Sequence, residues 1–73
     1  MDILTLNAVL SELDGYEEIK IFTTNNIYMF PKGQVVEMGK KLNTYLYIHT
    51  QLNDMYYIDI AEIEAIKLIK PNE

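Results

Sequence analysis

Between residues 42 and 69 this 73-residue chain holds two segments with a hydrophobic period of two, joined by a polar turn and followed by a third apolar segment, and that limits what it can fold into. In residues 42–50, Tyr45, Tyr47 and His49 alternate with Leu42, Leu46 and Ile48. Successive strand side chains point to opposite faces, so this segment reads as a strand with one aromatic and one aliphatic face. A polar turn at 51–54 follows, and residues 55–60 then alternate in the same way. There Tyr56, Ile58 and Ile60 share one face, and Met55, Tyr57 and Asp59 share the other.

The rest of the chain supports a small, mainly β domain headed by one helix. Residues 3–13 place Leu6, Val9, Leu10 and Leu13 on one stripe at helical spacing. Asp2 or Thr5 can cap its start, and Gly15 sits where a left-handed helix end is expected. Extended segments are read at about 17–24, 27–30, 34–38, 42–50, 55–60 and 64–69. The Asn25-Asn26 pair tolerates positive φ and turns the first hairpin, and Pro31-Lys32-Gly33 ends its second strand. Gly39 and the Lys40-Lys41 pair are read as the close of the third segment. After Asp59 two readings stand: a helix opened by an Asp59-to-Glu62 capping box, or one tight turn at 60–63 and a strand at 64–69. The density of Ile favours turn and strand, and Pro71 ends the element in both.

The order of elements resembles the Sm-like and SH3-like small barrels: an N-terminal helix, hairpins, a tight turn and a last strand. The glycine and asparagine signatures of Sm-like RNA binders are not evident here. The expected fold is therefore α+β but mainly β, with the helix followed by a five-stranded antiparallel, strongly bent sheet or a small barrel. Residues 1–73 are read as a single domain. A chain of this length buries only roughly 60% of its unfolded surface, so its core needs support. With no Cys and one His, neither disulfides nor a structural zinc site can supply it. Association with another copy is the expected support. Tyr28 and Phe30 on one face of their strand, with Ile27 and Met29 on the other, point the same way.

Composition then narrows function. The formal charge is −5, and the six basic residues are all Lys. Arg is the side chain that grips phosphates and guanines in a bidentate manner, so a dedicated nucleic-acid binder is not expected. No stretch approaches the roughly 20 apolar residues of a membrane span, and Met1-Asp2 opens no signal peptide, so a cytoplasmic protein is expected. The bias towards Ile, Lys, Asn and Tyr is what AT-rich codons give, which suggests a low-GC bacterium or one of its phages or mobile elements.

Catalytic constellations are lacking. Ser11 is the one serine, falls in the helix, and has no nucleophile-elbow glycines around it. Glu17-Glu18 and Glu62/Glu64 alternate with apolar residues, as solvated outer faces do. Single glycines at 15, 33 and 39 form no phosphate loop, and no cofactor is implied. Only the aromatic face remains as a candidate site: Tyr45, Tyr47, His49, Tyr57 and Asp59, with His49 expected beside Asp59. It is open to three readings: a second small core or tyrosines present merely through strand propensity, an association face, or a small-molecule or base-stacking site. The expected function is a non-catalytic interaction or regulatory protein, whose acidity suits a basic surface on a partner. The alternatives are capture of a nucleotide-like molecule at a subunit interface and, behind it, Sm-like RNA binding.

Overall fold

Asp2 opens the first element, its Oδ1 accepting from the Thr5 backbone nitrogen at 2.8 Å, in the computed structural model, which describes residues 1–70. That bond satisfies one orphan amide of helix α1, Ile3–Ser11. The Thr5 amide also holds the Asp2 carboxyl below its ordinary pKa. This contribution to stability is present above the ordinary carboxylate pKa and is lost as pH falls through the lowered one. Leu6 is fully buried, and Ile3, Leu10 and Leu13 pack beside it against the core. The docking stripe thus runs through Ile3 in place of the expected Val9. The helix is two residues shorter than expected, ending through a bond from Glu12 N to Val9 O at 3.0 Å. Gly15 does adopt φ +88°, but in the turn that follows the helix end.

Six strands form two antiparallel three-stranded sheets, not one five-stranded sheet. The strands are β1 Glu18–Thr23, β2 Ile27–Pro31, β3 Val35–Lys41, β4 Tyr45–Thr50, β5 Met55–Asp59 and β6 Ile63–Ile69. One sheet has the order β2-β1-β6 and the other β3-β4-β5, and neither is closed or strongly curled. A single 3-10 turn, Lys32–Gln34, carries the chain from the first sheet into the second. A second 3-10 turn at Ile60–Glu62, capped by Asp59, returns it to β6, as the turn-and-strand reading expects. The expected stop at Pro71 lies outside the described residues.

The core gathers Leu6 from the helix, Ile19, Ile21 and Phe30 from one sheet, Leu46, Ile48 and Ile58 from the other, and Ile60 and Ile63 around the return turn. The first hairpin turns without positive φ at its asparagines. Thr23 closes it instead, its hydroxyl donating to Asn26 O and accepting from Asn26 N, both at 3.0 Å.

The second hairpin departs furthest from expectation. Strand β3 runs through Gly39 to Lys41, and the turn falls on Leu42, Asn43 and Thr44. Leu42 is therefore not a core residue of β4. It adopts φ +58° and is 83% exposed. Left-handed backbone costs a non-glycine L-residue roughly 1–2 kcal/mol, whereas Asn43 beside it, at φ +54°, is better suited. Leu42→Gly should consequently raise stability by about 1 kcal/mol, since no packing is lost. Thermal melts should show the midpoint rising by several degrees; a fall would mean that the leucine side chain makes a contact of value.

Candidate functional site

Strand alternation puts Leu46, Ile48 and Thr50 of β4 inwards and leaves Tyr45, Tyr47 and His49 on the outer face. Register sets their neighbours. Reading across β3, β4 and β5, the rows are Lys41–Tyr45–Asp59, Gly39–Tyr47–Tyr57 and Glu37–His49–Met55. The structure thus brings Tyr45, Tyr47, Tyr57 and Asp59 together on one face with His49. It also adds Glu37 from β3, together with Gly39 and Lys41, which lie within the strand and not at its expected close.

The expected pairing of His49 with Asp59 does not form. Asp59 pairs with Tyr45 and His49 with Met55, at opposite ends of the ladder. Four residues of strand separate the two, roughly 13 Å at 3.3 Å per residue. His49 Nε2 instead lies 3.1 Å from Asn53 Oδ1, in the β4–β5 turn. Asp59 Oδ1 accepts from Ala61 N at 2.9 Å and caps the 3-10 turn.

The face is open to solvent. Tyr45 is 40%, Met55 47% and Tyr57 52% exposed, so it is not a second core beneath the helix. Tyr45 and Tyr57 meet edge to face, centroids 6.3 Å apart and planes at 90°. Lys41 Nζ stands 5.7 Å from the Tyr57 ring centroid, within cation–π range. No family model, curated protein or solved structure matches this chain. What the face can do must therefore be argued from its own chemistry.

Gly39 explains the placement of Tyr47. The ring lies over the glycine opposite it: a Cβ there would stand 3.1 Å from Tyr47 Oη and 3.2 Å from Cε1. A glycine inside a strand loses order and packing, and an aromatic ring laid across it restores cover. From that position the Tyr47 hydroxyl donates to Glu37 Oε1. This hydrogen bond raises the Tyr47 phenol above its ordinary pKa, with the Glu37 charge adding to the effect. The raised value means that the contribution is whole below the ordinary tyrosine pKa and is lost as pH rises through the raised one. Alkaline ultraviolet titration should show one of the six tyrosines ionising late. Glu37→Gln, or Gly39→Ala displacing the ring, should bring its ionisation back towards the ordinary tyrosine range. A late tyrosine that survives both changes would rule out this bond as the cause.

Other chemistry is sparse. Ser11 Oγ donates to Ala8 O within its own helix at 2.7 Å, remote in sequence and element from His49. Among the described residues no group of three or more His, Cys, Asp or Glu side chains could hold a metal ion. A cleft of about 280 Å³ is lined by Met1, Ile3, Asn43, Thr44, Asp59, Ile60 and Ala61. Asp59 is the one candidate residue on its wall; the tyrosines lie on the flat face beside it. No helix among the described residues is long and apolar enough to cross a membrane.

Proposed function

We propose that this chain is a small non-catalytic protein that acts by contact, through the outer face of the β3-β4-β5 sheet. One observation carries the reading. Tyr45, Met55 and Tyr57 are exposed side by side, while Leu46, Ile48 and Ile58 on the reverse of the same strands are buried. Tyrosine couples a large apolar ring to a wet hydroxyl, and such residues dominate the energetic centres of protein interfaces. Met55 adds an adaptable apolar side chain at the margin. The partners proposed are a second copy of the chain and a protein with a basic surface, which a charge of −5 would draw in. A cytoplasmic setting and a phage or mobile-element origin belong to the same proposal.

We also propose that the two sheets together approximate a small five-stranded barrel. β2 and β3 are joined by only the Lys32–Gln34 turn, and β6 pairs with β1. Counted as one bent strand, β2 and β3 would give the five-strand order of an Sm-like or SH3-like small barrel. Fold likeness alone assigns no function. An RNA-binding role is disfavoured by the acidic balance and the lack of Arg.

Tyr45→Ala combined with Tyr57→Ala tests the contact reading. Both side chains are exposed, so the fold should survive, at a cost of about 1 kcal/mol or less. Association in solution and capture of partner protein should fall by tenfold or more. Binding unchanged by the pair of substitutions would overturn the reading. The cleft beside Asp59 favours the nucleotide-like ligand as second reading. A panel of nucleotides should then raise the melting temperature, because a ligand that binds only the folded state stabilises it.

A further inference from the structure

We propose that the β3-β4-β5 face pairs with the same face of a second copy, about a two-fold axis running along β4. This rests on the contact reading above and supplies its partner and geometry. An isologous pair needs a patch that complements itself. The three rows of this face do so: a half-turn about an axis parallel to β4, lying between the copies, sets β3 of one over β5 of the other with rows kept in line. Lys41 then meets Asp59 of the other copy, twice. The Tyr47 ring that covers Gly39 meets Tyr57 of the other copy, twice. Tyr45 faces its own counterpart, and these tyrosines form the apolar centre.

A second in-plane axis, across the strands, would give Lys41 to Glu37 of the other copy instead. The rings favour the Asp59 arrangement: the axis along β4 sets Tyr45 on Tyr45 of the other copy, whereas the axis across the strands sets it on His49. Hydrogen bonding does not separate the two carboxylates, since Glu37 commits Oε1 to the Tyr47 hydroxyl and Asp59 commits Oδ1 to Ala61 N. Lys41 reaches the Asp59 carboxylate of the other copy by swinging off the Tyr57 ring of its own sheet, whose centroid lies 5.7 Å from the ammonium, a movement its flexible four-carbon stem allows.

Size sets the strength. Three strands at roughly 4.8 Å spacing and five residues at roughly 3.3 Å rise make a footprint on the order of 300 Å² per copy once side chains are added. A standard stable interface buries about 800 Å² per partner. The pair is accordingly weak and reversible, to be read at protein concentrations on the order of 0.1–1 mM.

Charge exchange tests the axis. Sedimentation equilibrium should find the wild-type chain associating, and Lys41→Glu should weaken association at least tenfold. Lys67→Glu, on the outer sheet edge, makes the same change in net charge and should leave association as it is. Joining Asp59→Lys to Lys41→Glu in one chain restores opposite charges across the axis and should restore association. Equal parts of the two single variants should associate where neither does alone. Because Asp59 caps the 3-10 turn, Asp59→Lys can fail to fold. Asp59→Asn keeps the capping oxygen, and its expected loss of association then carries the test beside Lys41→Glu. Rescue of Lys41→Glu by Glu37→Lys in place of Asp59→Lys, or association indifferent to Lys41→Glu, would overturn this arrangement and leave the contact face standing. A wild-type chain that stays monomeric at 1 mM would overturn the self-pairing itself; capture of a partner that depends on Tyr45 and Tyr57 would still uphold the contact reading.

Discussion

Phe30→Ala is expected to cost about 3–5 kcal/mol. Phe30 is 4% exposed on β2, and its ring meets Tyr56 of β5 edge to face at 5.2 Å and 76°. Tyr28 lies parallel to it at 6.4 Å and itself meets Tyr56 at 6.2 Å and 74°. These three rings tie together two sheets whose strands pair only within each sheet. Removing the middle ring opens a cavity and also takes away the specific aromatic geometry, worth roughly 0.5–1.5 kcal/mol per pair beyond burial. At 0.05–0.15 kcal/mol per residue, a chain of this size holds roughly 4–11 kcal/mol in all. The variant should therefore lose from about a quarter to all of that stability, with the urea midpoint falling in proportion. Phe30→Leu, which refills most of the volume, should retain a cooperative transition. A Phe30→Ala midpoint close to wild type would mean that the two sheets are not held together through this cluster.

The same geometry explains why an exposed apolar face is left over. With so few residues, the chain can cover only one side of each sheet. The inner sides of both sheets and one stripe of the helix use up the buried aliphatic residues. The outer side of β3-β4-β5 then carries aromatic residues and Met55 with nothing over them among the described residues. The outer side of the other sheet likewise leaves Ile27 and Met29 exposed. Apolar surface of this kind on a small acidic domain favours the proposed association, and in the proposed pair the charges of Lys41, Asp59 and Glu37 around the tyrosines would set the orientation.

Alternation and spacing carried much of the architecture. The helix stripe, the extended segments, the polar turn after β4 and the tight turn before β6 follow from periodicity and from local capping by Asp2 and Asp59. What could not be read depends on partners distant in sequence. Gly39 looked like a strand end because a glycine within a strand is normally unfavourable; Tyr47, eight positions later, makes it tolerable by lying over it. Leu42 looked like a core residue because its parity matches Leu46 and Ile48. Parity fails there because the chain leaves the strand through left-handed backbone. The faces of β4 and β5 were legible, but the pairing of His49 with Asp59 was not. Register decides which residues of two matching faces are opposite, and a turn sets register through geometry that composition does not reveal.

Leu46→Ala should cost about 2–5 kcal/mol, although it stands between two tyrosines whose loss the fold should bear. Leu46 has no solvent exposure, belongs to the core cluster, and is paired on both sides, with Lys40 in β3 and Ile58 in β5. Truncating it leaves a void at the centre of the sheet that its neighbours can close only in part. One position earlier, Tyr45→Ala removes an exposed ring and its edge contact with Tyr57, for about 1 kcal/mol or less. One position later, Tyr47→Ala removes the cover over Gly39 and the bond to Glu37, for about 1 kcal/mol. Ile48→Ala should again cost several kcal/mol, because Ile48 too is fully buried. An alanine scan along β4, followed by urea unfolding, should thus alternate between small and large losses, and association should weaken at the positions where stability does not. If Tyr47→Ala destabilised the chain as much as Leu46→Ala, the aromatic side of the sheet would be core, and the contact face would have to be sought on the exposed side of β2.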